Sequence, residues 1–159
     1  MSSDTDTFDT EEIDLLALDR QVCFALAVAN RAVLSVYRPL LEPLGLTHPQ
    51  YLVMLALWGE SPMPVKAIGD AIRLDSPTLS PLLKRLQSSG LITRTRSTDD
   101  ERQVIVDLTA AGRALRADAE RIPPAVIERL GMTLTELDDL RSGLTRLIAA
   151  TRNVDALDS

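Results

Sequence analysis

The amino-acid sequence predicts a mainly α-helical domain that contains a helix-turn-helix and a two-stranded β-hairpin. Aromatic residues make up only 3% of the 159 residues, and the Leu- and Ala-rich composition favours helices. The hydrophobic pattern has a helical period along most of the chain, but over residues 103–108 Val104, Val106 and Leu108 recur at every second position, which indicates a strand. A chain of this length fits one compact domain, which we expect at residues 13–159.

Residues 1–12 are polar and acidic and show no periodicity, so we expect a disordered tail there. They resemble neither a signal peptide nor a basic transit peptide, and no uninterrupted apolar run approaches the ~20 residues of a membrane span. We therefore expect a cytoplasmic protein with no membrane partner. The only cysteine, Cys23, excludes an intrachain disulfide and a multi-cysteine metal site, so we expect neither a metal nor another cofactor.

Two long apolar segments precede the helix-turn-helix. A helical pattern runs from Leu15 to about Tyr37, and Pro39 is expected to break it. Thr47 is a good N-cap for the next helix, which is apolar on nearly all sides as far as Trp58. This second helix is therefore predicted to be buried.

The helix-turn-helix is predicted from two short helices, about 64–73 and 77–89, that are joined by a tight link. Ser76 is the expected N-cap of the second helix, with Pro77 at its first helical position. Strands at Ile92 and at residues 103–108 then flank a charged turn over residues 97–102. This order of elements predicts a winged helix-turn-helix.

The last third of the chain returns to a helical period. Thr109 is expected to cap a helix that runs to about Ile122, where Pro123-Pro124 interrupts it. A final helix is expected to start at a cap formed by Thr133 or Thr135.

The charge distribution indicates a nucleic-acid surface although the net charge is −6. Residues 84–102 contain five basic and three acidic residues, which leaves this segment at +2. A local basic face can hold phosphates on an acidic protein because charges are screened beyond about 10 Å. The plain alternative is a solvated helical pair whose surface ion pairs contribute only ~0–1 kcal/mol.

The second helix of the predicted helix-turn-helix opens with short hydroxyl side chains, which suit phosphates and a close approach to base edges. Asp100 is expected to bond the guanidinium of Arg102 across the hairpin tip, so that this arginine is presented to a narrow minor groove. The predicted DNA-binding residues are Ser76, Thr78, Ser80, Lys84, Arg85, Arg94, Arg96, Asp100 and Arg102.

These segments resemble the multiple-antibiotic-resistance regulator (MarR) family. Residues 74–86 (LDSPTLSPLLKRL) resemble its recognition helix, and residues 90–94 (GLITR) and 99–102 (DDER) resemble its wing. The resemblance covers about residues 15–150. It implies a homodimer with dimerisation helices at about 13–45 and 110–152, a DNA-binding core at about 47–109, and a palindromic double-stranded DNA operator.

A second block is similar to the organic hydroperoxide resistance regulators within that family. The similar residues are 18–26 (LDRQVCFAL), 37–41 (YRPLL) and 46–51 (LTHPQY). In this branch the matching cysteine is oxidised by organic hydroperoxides and the repressor then leaves its operator. Tyrosines that hydrogen-bond the sulfur, some across the dimer interface, match Tyr37, His48 and Ala27, so two of the three positions differ here.

The resemblance implies that Cys23, Tyr37 and His48 form the redox-sensing site. With no second cysteine the chain resembles the one-cysteine type, in which a sulfenic acid on Cys23 can condense with a low-molecular-weight thiol or oxidise further. Taken alone, Cys23 fits a buried small hydrophobe and His48 fits a surface or capping side chain.

Two other functions are compatible with the sequence. A regulator of the same fold could respond to a small phenolic or fatty ligand, with Cys23 structural. A thiol peroxidase could use Cys23 as its peroxidatic residue. The chain contains no resolving cysteine for such turnover, so we expect a regulator and not an enzyme.

Overall fold

The structure is a computed structural model that describes residues 14–18 and 21–157, so the predicted tail at 1–12 lies outside the described residues. The described residues form two compact units, which divide between Ser35 and Val36. Seven α-helices and three β-strands are present in the described residues. They are α1 Val22–Leu41, α2 His48–Gly59, β1 Met63–Pro64, α3 Val65–Ile72, α4 Ser76–Ser88, β2 Ile92–Arg96, β3 Val104–Leu108, α5 Ala110–Ala119, α6 Ile122–Leu130 and α7 Leu134–Leu157.

This architecture confirms the predicted fold class. Helices α3 and α4 form the helix-turn-helix, and β2 and β3 form the hairpin that follows it. The strands pair antiparallel, with Ile92 opposite Leu108 and Arg96 opposite Val104. The short strand β1 pairs with the other edge of β3 and gives the sheet order β1-β3-β2. Two residues are too few for a recognisable alternation, which is why the sequence did not reveal β1.

In the first unit, the predicted helix start at Leu15 is wrong. Leu15 and Leu16 form a turn, and α1 begins only at Val22. The Asp14 carboxylate accepts a hydrogen bond from the backbone N–H of Leu16 at 3.0 Å, and the Gln21 side chain donates to the Leu15 carbonyl. Such side-chain bonds to nearby backbone compete with helix formation.

The predicted break at Pro39 is also wrong, because α1 continues to Leu41. A proline this close to the end of a helix removes one backbone donor and leaves few later turns to disrupt. Leu41 is 1% exposed and belongs to the core of the second unit. Burial of Leu41 therefore favours a helix that continues past the proline.

One described segment, Val22–Leu44, is long and apolar enough to cross a membrane by length and composition alone. Arg31 and Arg38 interrupt its apolar run. A helix that packs against another protein surface has the same composition, so this feature is weak support for a membrane segment.

The core of the second unit is built around α2, as its apolar sequence predicts. Val53, Met54 and Leu57 are all 0% exposed. Thr47 caps the helix in a capping box with Gln50, and the Trp58 indole N–H donates to the Gly112 carbonyl at 2.9 Å. The other large side chains below 2% exposure are Leu41, Ile68, Leu79, Leu83, Leu86, Ile92 and Val106.

One predicted boundary in the C-terminal third is wrong. Helix α5 ends at Ala119 and not at about Ile122, and α6 begins at Ile122, so Pro123-Pro124 lie in its first turn and do not end a helix. The first N–H groups of a helix have no intrahelical acceptor, so prolines are tolerated at these positions. The predicted cap at Thr109 is confirmed, and Thr133 rather than Thr135 caps α7 by accepting from Glu136 N–H.

Candidate nucleic-acid interface and thiol site

The link between α3 and α4 is tight because two backbone positions permit it. A Cβ atom on Gly69 would lie 2.8 Å from the Leu74 carbonyl oxygen, so only glycine lets the two segments approach this closely. Arg73 adopts a left-handed conformation with φ 59°, and the Leu74 N–H donates back to the Gly69 carbonyl at 3.0 Å. The turn thus closes α3 and starts α4 within three residues.

Helix α4 buries one face and exposes the predicted reading face. Leu79, Leu83 and Leu86 are each 1% exposed and anchor the helix. The predicted DNA-binding residues of this helix are all exposed, namely Ser76, Thr78, Ser80, Lys84 and Arg85. Pro81 also lies within the exposed part of the helix.

Asp75, and not Ser76, is the N-cap of α4. Its carboxylate accepts a hydrogen bond from the Thr78 N–H at 2.8 Å, and hydrogen bonds from Thr78 lower the pKa of this carboxyl. The cap therefore occupies a backbone donor at the helix terminus, and Pro77 has none to offer. The start of α4 therefore offers DNA mainly its hydroxyl side chains.

The wing tip is organised by its own short polar side chains. The Ser97 hydroxyl accepts from the N–H groups of Asp99 and Asp100 at 3.2 and 3.4 Å. The predicted bond from Asp100 to the Arg102 guanidinium is wrong, because the carboxylate accepts from the Arg102 backbone N–H at 3.0 Å. A side chain two residues before a backbone N–H forms this local turn readily. Arg96 donates to the Glu101 carbonyl at 3.0 Å.

A groove of about 400 Å³ lies between α4 and the wing. It brings together four of the predicted DNA-binding residues, Ser76, Ser80, Arg94 and Arg102. The other five, Thr78, Lys84, Arg85, Arg96 and Asp100, do not line it. Sequence reasoning missed Lys66 and Gln103, which complete the polar lining. A signal for Lys66 was its place in the first helix of the helix-turn-helix, which crosses the DNA backbone in such motifs.

The cysteine lies in the first unit. Cys23 is the second residue of α1, and its side chain is exposed. Its neighbours Val22 and Phe24 are 60% and 41% exposed. The interpretation of Cys23 as a small hydrophobe buried within its own chain is therefore wrong.

The second unit contains an aromatic cluster formed by Tyr37, His48 and Tyr51. The rings of Tyr37 and His48 meet edge to face with centroids 5.0 Å apart, and Tyr51 lies 6.1 and 6.2 Å from them. Burial lowers the pKa of His48, so the imidazole favours its neutral form. Burial, and to a smaller extent Tyr37, raises the pKa of Tyr51.

This cluster brings together two of the three predicted redox-site residues, and it adds Tyr51. The spacing of three residues between His48 and Tyr51 on one helix was the signal for this third member. His48 is the first residue of α2 and is partly buried, while the capping role belongs to Thr47.

The fold and its exposed polar surface define a winged helix-turn-helix transcription regulator. The family model of the transcriptional regulators SarA and Rot matches residues 35–118. The organic hydroperoxide resistance transcriptional regulator of Bacillus subtilis is 40% identical, over 86% of this chain and 93% of that regulator. The regulator TtmR of Methylorubrum extorquens is 46% identical, over 86% of this chain and 77% of TtmR.

Solved structures agree with these relatives. Reduced AbfR bound to DNA has a TM-score of 0.75 and 34% identity, covering 86% of this chain and 94% of that chain. Overoxidised AbfR bound to DNA has a TM-score of 0.70 and 33% identity, covering 84% and 94%. AbfR is a protein of Staphylococcus epidermidis. The chain therefore belongs to the SarA/Rot family of MarR-like winged-helix transcription regulators, together with the organic hydroperoxide resistance regulators.

Proposed function

We propose that this chain is a redox-sensing transcription repressor that binds a palindromic operator as a homodimer and leaves it when an organic hydroperoxide oxidises Cys23. The observation that carries the proposal is that the single cysteine, Cys23, is an exposed residue of the apolar helix α1, in a chain whose second unit is a winged helix-turn-helix. The names of the Bacillus regulator and of AbfR in its reduced and overoxidised states support the same function. As a DNA-binding regulator, the protein acts in the cytoplasm.

Operator binding is assigned to the DNA-binding core at about residues 47–109. Helix α4 enters the major groove with Thr78, Lys84 and Arg85 on its exposed surface, and the wing reaches the neighbouring minor groove. Arg102, which lines the groove beside α4, is expected to follow the DNA backbone towards the minor groove.

The homodimer is assigned to the terminal helices at about residues 13–45 and 110–152. Both helices leave large apolar side chains uncovered in the single chain: Val22, Phe24 and Val28 on α1, and Leu140, Leu147 and Ile148 on α7, are 37–60% exposed. A soluble protein that exposes this many apolar side chains on two helices favours association, and a second copy gives a symmetric dimer.

The proposed chemistry takes place on the sulfur of Cys23. The thiolate attacks the terminal oxygen of the hydroperoxide, an S–O bond forms and the O–O bond breaks. The sulfur is oxidised to a sulfenic acid, and the peroxide is reduced to an alkoxide that takes up a proton and leaves as an alcohol. A low-molecular-weight thiol can then condense with the sulfenic acid, which forms a mixed disulfide and releases water.

Tyr37 and His48 are assigned as hydrogen-bond donors to the sulfur in the reduced dimer. Oxidation would replace these bonds and repack the interface that sets the separation of the two recognition helices. A hundredfold loss of operator affinity requires only ~2.7 kcal/mol. One or two charge-assisted hydrogen bonds, at ~1.5–3 kcal/mol each, are enough to supply this difference.

The test compares the wild-type protein with Cys23→Ser on one labelled duplex, which is first selected from random sequence by the reduced wild-type protein. We expect cumene hydroperoxide to weaken wild-type binding about a hundredfold, measured by fluorescence anisotropy, and a reducing thiol to restore it. Cys23→Ser should bind the duplex as the reduced wild type does and keep it in peroxide.

Equal release of both proteins by peroxide would contradict the role of Cys23. Release of both by a phenolic or fatty acid would instead indicate the ligand-sensing alternative. Because overoxidised AbfR was crystallised with DNA, intact-protein mass should be measured in the same samples. This assigns DNA release to the sulfenic acid, the thiol adduct or a higher oxide.

A further inference from the structure

The start of α5 is fixed to the link between α4 and the wing. The Thr109 hydroxyl donates to the Gly90 carbonyl at 2.6 Å, and the Thr109 N–H donates to the Leu91 carbonyl at 3.1 Å. A Cβ atom on Gly112 would collide with the Leu91 carbonyl oxygen, so only glycine permits this close approach. The first turn of α5 is therefore held against the end of the recognition helix.

The end of α2 is joined to the first two turns of α5 by hydrogen bonds that run in opposite directions. The Trp58 indole N–H donates to the Gly112 carbonyl at 2.9 Å, and the Arg116 guanidinium donates to the Trp58 carbonyl at 3.3 Å. These two bonds form the α2–α5 contact. Together with the attachment at Thr109, the α2–α5 contact sets the direction in which α5 leaves the DNA-binding core.

Helix α2 connects this contact to the aromatic cluster. His48 and Tyr51 lie in its first turn and Trp58 in its last, so the cluster and the contact are about 15 Å apart at a rise of 1.5 Å per residue. Val53 and Leu57, which lie between the two ends, are 0% exposed. A helix that is packed along its length is rigid, so a displacement of its first turn reaches its last turn.

The far end of α5 leads to the helices assigned to the homodimer. Helix α5 ends at Ala119 and α6 begins at Ile122, so the connection between them is short. Helix α7 follows and carries the exposed apolar side chains of Leu140 and Leu147. A change in the direction of α5 would therefore change the distance between the two recognition helices of a dimer.

We propose that the α2–α5 contact transmits the state of the aromatic cluster to the recognition helix, and that Trp58 is the positioning residue in this step. The contact is intact in the DNA-binding arrangement and is broken once Cys23 is oxidised, which lets α5 turn about its attachment at Thr109. The inference rests on the proposed function, because it requires that oxidation of Cys23 displaces Tyr37 and His48. It deepens that function by assigning the bonds whose loss changes the affinity for DNA.

The first experiment measures the affinity of Trp58→Phe for the selected duplex before and after treatment with cumene hydroperoxide. Phenylalanine keeps an aromatic ring but removes the N–H donor. We expect the reduced variant to bind about tenfold more weakly than the reduced wild type, and the two oxidised proteins to bind equally. The release factor, which is the ratio of the reduced to the oxidised affinity of one protein, should therefore fall from about a hundredfold to about tenfold. A merely structural role of Trp58 would weaken both forms equally and leave the release factor unchanged.

Arg116→Gln tests the second bond of the contact, and Arg113→Gln is its matched control. Both arginines are exposed on α5, and each forms an ion pair, with Glu120 and Asp107 respectively. Of the two, Arg116 donates to α2, whereas Arg113 donates to β3. Each substitution removes one cation per chain, so a loss of affinity by charge alone affects the reduced and oxidised forms equally. We expect the release factor to fall about twofold to threefold in Arg116→Gln and to keep the wild-type value in Arg113→Gln.

Indole fluorescence reports on the contact directly, because Trp58 is the only tryptophan. In the absence of DNA, we expect peroxide to move the wild-type emission maximum to longer wavelength, as the indole N–H leaves Gly112 and meets water. Cys23→Ser should keep its emission maximum in peroxide, which excludes direct oxidation of the indole as the cause.

The outcomes separate this inference from the proposed function. If peroxide releases DNA from the wild-type protein but not from Cys23→Ser, the proposed function stands. A release factor of about a hundredfold for Trp58→Phe would then overturn the role of the α2–α5 contact alone. A wild-type emission maximum that peroxide does not move would overturn it as well.

Discussion

The DNA-binding core and the N-terminal unit differ in how much of their structure a single chain completes. In the core, Val53, Met54 and Leu57 are fully buried, and Thr47, Asp75 and Thr109 cap their helices with side-chain hydrogen bonds. In the N-terminal unit, Leu16 is 91% exposed and Cys23 is also exposed. A single folded chain therefore forms the DNA-binding surface by itself, whereas peroxide sensing at Cys23 depends on which protein surface covers α1.

The largest expected effect tests whether the core is complete on its own. Leu57→Ala removes a fully buried side chain of α2 and should lower the free energy of unfolding by about 2–5 kcal/mol. Leu55→Ala, on the same helix but 43% exposed, should cost about 1 kcal/mol or less. Urea titrations at one protein concentration measure both. Equal losses would show that burial in the single chain does not determine stability here.

The next effect tests whether the N-terminal unit needs a partner. Phe24→Asp places a charge on the exposed apolar surface of α1 and should weaken the proposed dimer at least a hundredfold, which is ~2.7 kcal/mol. Phe24→Leu keeps an apolar side chain and should remain dimeric. Sedimentation equilibrium distinguishes the two variants. A Phe24→Asp dimer of wild-type strength would place the interface elsewhere.

A smaller effect concerns the helix-turn-helix link. In Gly69→Ala the new methyl group would meet the Leu74 carbonyl oxygen at 2.8 Å, so we expect a loss of about 1–3 kcal/mol in the free energy of unfolding. Gly59→Ala is the matched helical control, since no atom lies within 4 Å of the added group. Thermal melting should show Gly59→Ala unchanged or slightly stabilised. A Gly69→Ala protein as stable as the control would disprove the close approach.

The smallest effect is a pH dependence in the aromatic cluster. Because burial lowers the folded-state pKa of His48 below 6.5, the neutral imidazole stabilises the fold above pH 6.5. This stabilisation is lost as the pH falls through the folded-state pKa. His48 is the only histidine, so its NMR titration is unambiguous. A pKa at or above 6.5 in the Cys23→Ser protein would contradict the burial.

The elements that sequence predicts well are those with a strong local cause. Periodic leucines located α4, and the caps Thr47 and Thr109 located the starts of α2 and α5. The apolar residues at every second position of 104–108 located the hairpin, because each of these signals acts over a few neighbours. The resemblance to the hydroperoxide regulators indicated Cys23, and the charge pattern indicated the arginines, of which the structure brings Arg94 and Arg102 to one groove. Helix boundaries near proline were predicted less well, because tolerance of Pro39 depends on the burial of Leu41, which is a tertiary contact.

The groove residues that the sequence did not reveal were missed for a different reason from the helix boundaries. Lys66 and Gln103 reach one groove from segments 37 residues apart. Asp100 was assigned to the wrong partner because a backbone N–H two residues away competes with the longer reach to a guanidinium. Such choices depend on three-dimensional proximity, which spacing in the sequence does not reveal.

The two-residue strand β1 has a mechanical consequence. Met63 and Pro64 pair with Val106 and Ile105, so the chain enters α3 directly from a strand that is bonded to the wing. This pairing ties the base of the wing to the start of α3, so we expect the wing and the helix-turn-helix to move as one unit. In the homodimer, oxidation can then change the distance between the two DNA-binding units without changing the structure of either one.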